Sequence, residues 1–251
     1  MPYVNVNGAR LFYEEAGAGP PVVLVHGGLG DLRMWDGVVP LLAVSHRVVR
    51  FDVRGFGRTE AAVGKFSPHE DIRAMLDALG IESAALVGLS LGGRIVLDAA
   101  LELPERVSAL VLVAPGVNGL PLEGVYTEEQ DREFDEALAS GDLERAAAID
   151  LSVWAPLGTD ERIKALLLDN LRENEGVVMV SAKPPAGERL EDVRVPTLVV
   201  IGTRDLPRML ELADELVSRI PNARRAELES DHYLPMREPE AFAQRVREFL
   251  S

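Results

Sequence analysis

Residues 84–94, Ala-Ala-Leu-Val-Gly-Leu-Ser-Leu-Gly-Gly-Arg, constrain the fold more than any other stretch. A short apolar run predicts a buried strand. Gly88-x-Ser90-x-Gly92 follows, and then an apolar segment from Ile95 to Leu103 with helical character. A strand that turns sharply into a helix through Gly-x-Ser-x-Gly holds its serine in strained backbone and keeps neighbouring side chains away from it. The helix aims free N–H groups and its positive end at the same point. With 22 glycines in 251 residues, the five-residue pattern arises by chance in roughly one such chain in ten, so its surroundings must decide.

Those surroundings alternate strands with helices. Tyr3–Val6 and Arg10–Glu15 flank Asn7-Gly8, a hairpin signal, and Pro21–Val25 is continuously apolar. His26-Gly27-Gly28-Leu29-Gly30 ends that strand, and Asp31–Leu42 carries Trp35, Val38, Val39 and Leu42 at helical spacing, which makes Trp35 a core residue. Arg47–Phe51 is the next strand. Ser67-Pro68-His69-Glu70 predicts a capping box that opens a helix running to Leu79, with Gly80 as its stop. Val107–Ala114 is a further strand. Strands of this kind separated by helices predict an α/β fold: a mostly parallel, doubly wound sheet of about eight strands.

The alternation stops near residue 118. Helices are expected near Glu128–Ala139, Asp142–Trp154 and Asp160–Glu173, and residues 181–192 resemble a return connection. About 70 mostly helical residues make a poor core alone. Residues 118–190 are therefore expected to be a helical lid inserted in a core of residues 1–117 and 191–251. Pro196–Ile201, Met209–Ile220, Arg224–Leu228 and Pro239–Leu250 then resume the strand–helix pattern, with Glu229–Pro235 as a loop.

Ligands bind at the carboxyl ends of parallel strands. A serine nucleophile needs a base, and a histidine base needs a carboxylate to hold its tautomer. Ser90, Asp205 and His232 each follow a predicted strand, in the order Ser…Asp…His that accompanies this turn. Asp231 is the rival acid, but its place beside His232 favours a local Asx turn. An oxyanion would need two N–H donors: Leu91, after the serine, and Gly28, with Leu29 as the alternative. His26 and the Asp52/Arg54 pair are expected to shape loops rather than react. Trp154 is a candidate substrate contact, and Ile149, Leu151, Leu166 and Leu167 either wall an apolar pocket or pack on the core.

Composition narrows the chemistry further. The absence of cysteine excludes disulfides and thiolate chemistry, and a net charge of −15 argues against nucleic acid or an anionic membrane surface as a partner. No His/Glu spacing suits a metal and no phosphate loop is present, so no cofactor is expected. The first residues contain neither a basic region nor an apolar run, and a cytoplasmic location is expected. The partner expected is a small-molecule substrate with an apolar part.

His26-Gly27-Gly28, Asp52-x-Arg54-Gly55-x-Gly57, Gly88-x-Ser90-x-Gly92-Gly93, Gly202-x-x-Asp205 and Asp231-His232 with Glu238-Pro239 resemble, in joint order, the α/β-hydrolase superfamily. Asp231 stands where that family commonly has Gly. Asp31-Leu32-Arg33-Met34-Trp35-Asp36 and Gly88–Gly93 are similar to 3-oxoadipate enol-lactonases, with carboxylesterases as neighbours. The resemblance implies hydrolysis of a carboxylic ester or lactone through an acyl-enzyme on Ser90. Cleavage of a C–C bond in a diketone-like substrate is the alternative, and a ligand-sensing protein with the same fold is a more distant one.

Overall fold

The computed structural model describes residues 3–61, 63–122, 124–171 and 177–251. Eleven strands lie in the described residues: β1 (Tyr3–Val6), β2 (Ala9–Ala16), β3 (Pro21–Val25), β4 (Arg47–Phe51), β5 (Glu60–Ala61), β6 (Gly64–Phe66), β7 (Ala84–Leu89), β8 (Val107–Val113), β9 (Val177–Met179), β10 (Thr197–Gly202) and β11 (Ala223–Leu228). The helices are α1 (Val39–Leu42), α2 (Pro68–Ala78), α3 (Leu91–Glu102), α4 (Glu128–Ser140), α5 (Leu143–Trp154), α6 (Glu161–Asn170), α7 (Pro207–Arg219), α8 (Leu234–Arg237) and α9 (Pro239–Leu250).

The main sheet runs β1-β2-β4-β3-β7-β8-β10-β11, with β5 added on β2. From β4 to β11 neighbours are parallel, and only the β1–β2 and β2–β4 pairings on this path are antiparallel. This is the mostly parallel α/β sheet of about eight strands that the alternation predicts. Its centre is dry because β3 and β7 carry no polar side chains to solvate. All six residues of β7 are buried, as are all six of β10. Trp35 is fully buried against Phe242 of α9, with ring centroids 6.0 Å apart.

Several local expectations give way. Asp31–Leu42 is not one helix: a 3-10 turn over Leu32–Trp35 precedes the single turn of α1, and Pro40, near the start of α1, lacks the N–H that would continue a longer ladder. Ser67 sits at the N-cap of α2 without capping it by its side chain; the Glu70 carboxylate pairs with Arg73 instead. Thr127 and Gln130 do form a capping box at the start of α4. The stretch after α6 includes a strand of three residues, too short to show a pattern in the sequence. β9 pairs in parallel with β6, Lys65 opposite Val178, in a small second sheet. Glu229–Pro235 ends in the turn of α8. The expected helix end at Glu173 lies outside the described residues. No helix among the described residues is long and apolar enough to cross a membrane.

Candidate active site

Ser90 directly follows β7 and N-caps α3, with φ 52° and ψ −110°. The glycines around it show how closely neighbouring backbone approaches this turn. A Cβ on Gly88 would stand 2.2 Å from the Gly92 carbonyl oxygen, and one on Gly92 would stand 2.2 Å from the Val25 carbonyl oxygen. The Ser90 N–H donates to the Val113 carbonyl at 2.9 Å, which spends it on holding the turn against β8. Leu91 is the first residue of α3, so its N–H has no intrahelical acceptor.

The turn after β3 faces the same point. The Gly27 N–H donates to Met34 Sδ at 3.4 Å. A Cβ on Gly28 would lie 3.9 Å from the Leu91 side chain, so the two candidate donors occupy neighbouring backbone. Leu29 adopts φ 51°, an uncommon conformation for a branched residue. Its side chain packs on the small apolar cluster of Ala137, Ala146, Ala147 and Leu171 between α4, α5 and the end of α6. The strained turn is thereby held from the helical side.

Asp205 follows β10 and His232 follows β11. The His232 Nδ1–H donates to Asp205 Oδ2 at 2.9 Å, with both side chains buried. A carboxylate can only accept, so Nδ1 carries the hydrogen and Nε2 is left as the free base. Asp205 Oδ1 accepts from the Leu206 N–H at 2.8 Å, which fixes the carboxylate plane. Asp231, the rival acid, points elsewhere. It accepts from the Tyr233 N–H at 3.1 Å, from Arg237 Nε at 2.8 Å and from the Leu157 N–H at 3.3 Å. The first of these is the expected Asx turn. The Leu157 contact ties the His232 loop to the segment after α5, and Arg237, on α8, also donates there to the Gly158 carbonyl at 2.6 Å.

His26 shapes its loop, as expected. It is fully buried, its Nε2 accepts from the Val53 N–H at 2.9 Å, and its Nδ1 donates to the Gly27 carbonyl at 2.8 Å. Those two partners require the neutral ring, and burial lowers its pKa below the ordinary histidine value. Asp52 and Arg54 do not pair with each other. Asp52 accepts from the Leu32 and Arg58 N–H groups at 2.8 Å each, and burial raises its pKa. Arg54 instead makes a buried fork to Asp71 at 2.6 and 2.7 Å.

A cavity of about 220 Å³ brings these elements together: Gly27, Gly28 and Leu29, then Ser90, then His232 and Trp154 all line it. The Trp154 indole lies against the imidazole of His232, ring centroids 4.3 Å apart and planes at 42°. Ile149, Leu151, Leu166 and Leu167 are not among the lining residues; Leu151, Leu166 and Leu167 pack in the main core. Three lining residues carry polar groups that sequence reasoning missed: Tyr126, Asp150 and Tyr233. Trp154 Nε1–H donates to the Tyr126 hydroxyl at 2.6 Å, and that hydroxyl donates to Asp150 Oδ1 at 2.6 Å. Asp150 is buried on α5, and its burial raises the pKa of its carboxyl, partly offset by the Tyr126 hydrogen bond. Asp150 and Trp154 are four residues apart, a spacing that places them on one helix face and was visible in the sequence.

Comparison with known proteins agrees with this fold. The family model described as alpha/beta hydrolase fold matches residues 20–156. A protein of Azorhizobium caulinodans, provisionally named carbamate hydrolase RutD, is 33% identical over 248 residues, 91% of this chain and 90% of its own. A 2-hydroxy-6-oxo-6-phenylhexa-2,4-dienoate hydrolase of Burkholderia cepacia is 29% identical, covering 85% of this chain and 81% of its own. The crystal structure of the enol-lactonase from Burkholderia xenovorans LB400 superposes with a TM-score of 0.71 at 26% identity, covering 99% of each chain.

Proposed function

The chain belongs to the α/β-hydrolase family, and from that premise we propose that it cleaves a carboxylic ester or lactone through an acyl-enzyme on Ser90. One observation carries the reading: His232 is hydrogen-bonded to Asp205 at 2.9 Å and lines one cavity with Ser90 on its strained turn.

In this reading His232 Nε2 removes the Ser90 proton as Oγ attacks the substrate carbonyl. The oxyanion is held by the N–H groups of Leu91 and Gly28, the latter donating to no backbone acceptor among the described residues. The imidazolium, stabilised by Asp205, returns its proton to the leaving alcohol. Water, deprotonated by the same nitrogen, then attacks the acyl-enzyme, and Ser90 recovers its proton as the acid leaves. Residues 118–190 act as a lid over a core of residues 1–117 and 191–251. Support for this comes from Trp154 and Asp150, which reach the cavity from α5.

A second reading keeps the same residues and cleaves a C–C bond in a diketone-like substrate. It is favoured by the Burkholderia cepacia relative, whose name describes an oxo-dienoate hydrolase. Assays of short-chain p-nitrophenyl esters against a vinylogous diketone, with wild type and Ser90→Ala, separate the two. Faster ester turnover that vanishes in Ser90→Ala supports the first reading. Faster diketone cleavage supports the second.

A further inference from the structure

The cavity that holds Ser90 also holds a carboxylate for which the ester mechanism has no use. Asp150 is 4% exposed and lines that cavity from α5. Its two oxygens face the hydroxyls of Tyr126, at 2.6 Å, and Tyr233, at 3.5 Å. The Tyr126 hydroxyl accepts the Trp154 indole N–H, so its single proton is committed to Asp150 and cannot be offered to a substrate. Among the described lining residues there is no lysine or arginine.

We propose that Asp150 sets the charge specificity of this cavity: it admits uncharged substrates and rejects those that carry a carboxylate. The proposal rests on the ester or lactone reading and narrows it. A substrate carboxylate placed in about 220 Å³ would come within a few ångströms of Asp150, with no cation in the wall to neutralise it. The two phenol O–H groups aimed at the Asp150 oxygens favour the ionised carboxylate against the upward pull of burial. A substrate carboxylate about 6 Å from that anion at an effective dielectric of about 20 is disfavoured by roughly 100-fold in binding. Both phenols in the wall already donate to Asp150 and are not free to receive a second carboxylate. The same wall suits a neutral group, and favours one with an N–H to donate to Asp150. It would set this chain apart from a relative named for a dienoate substrate.

The test compares three esters of matched length: p-nitrophenyl valerate, the p-nitrophenyl monoester of glutaric acid, and the p-nitrophenyl ester of glutaramic acid. The expected kcat/KM for the carboxylate ester is roughly 100-fold below both neutral esters. Asp150→Asn should narrow that gap by at least about 10-fold, chiefly through KM. A structural role for Asp150 alone would lower all three values together and leave their ratios unchanged, and would overturn the proposal. The amide–carboxylate comparison in wild type needs no variant, and equal values there would overturn the proposal as well. Turnover of none of the three contradicts the ester reading itself, whereas turnover of all three at similar rates contradicts only the role of Asp150.

Discussion

The indole of Trp154 rests on the imidazole of His232, ring centroids 4.3 Å apart, and is tethered there by its hydrogen bond to Tyr126. An aromatic face so close to a ring that becomes a cation during turnover contributes about 1–2 kcal/mol by cation–π attraction in a desolvated site. Trp154→Ala is expected to lower kcat by about 5- to 30-fold, and Trp154→Phe to keep most of it. Steady-state kinetics on one neutral ester checks this; a change confined to KM would show that Trp154 only contacts substrate.

Two adjacent-looking acids should separate cleanly by substitution. Asp205→Asn leaves His232 without the partner that sets its tautomer and is expected to cost about 10⁴-fold in kcat, with a folded protein. Asp231→Asn breaks a buried contact to Arg237 and loosens the link to Leu157. It is expected to cost about 3 kcal/mol of stability with a much smaller loss of kcat. Urea unfolding beside kinetics distinguishes the two; equal kcat losses would contradict the assignment of Asp205.

The turn at Ser90 tolerates no added methyl. Gly88→Ala places a Cβ 2.2 Å from a backbone oxygen that cannot move without shifting α3. Its expected outcome is insoluble or inactive protein, whereas Gly8→Ala, with open space at its Cβ but φ 80°, costs only backbone strain. Expression and thermal melts of the pair compare the two effects.

Much of this site was legible from residue order. Ser90 and Asp205 follow buried strands and His232 follows the more polar edge strand β11, and a parallel sheet places strand ends on one side, so their convergence needed only the strand assignments. Asp150 shows in the sequence only as the residue one helical turn before Trp154, and its place in the site does not. It sits among the acidic residues of the 118–190 stretch, and only the way α5 packs brings it to Ser90. β9 escaped notice because three residues cannot show an alternating pattern, and its partner β6 is as short and begins with Gly64. Ser67 has a perfect capping pattern, yet Arg73 competes for Glu70 once α2 forms.

Burial of His26 couples stability to pH. Its native pKa lies below 6.5, so the unfolded chain takes up a proton there that the native ring resists. Stability from this residue is complete above about pH 6.5 and declines as pH falls below it. His26→Gln should be less stable at pH 7.5 than wild type, but should lose less stability between pH 7.5 and pH 5. Chemical denaturation at the two values measures the difference; identical pH losses would mean that His26 binds its proton equally well in both states.

The account turns on Ser90 as the atom that is acylated. Treatment of the wild-type protein with a fluorophosphonate, followed by peptide mass spectrometry, tests that claim most directly. The prediction is a single adduct on the peptide containing Ser90, lost in Ser90→Ala and slowed in His232→Ala. An adduct on any other residue, or labelling that persists in Ser90→Ala, would contradict it.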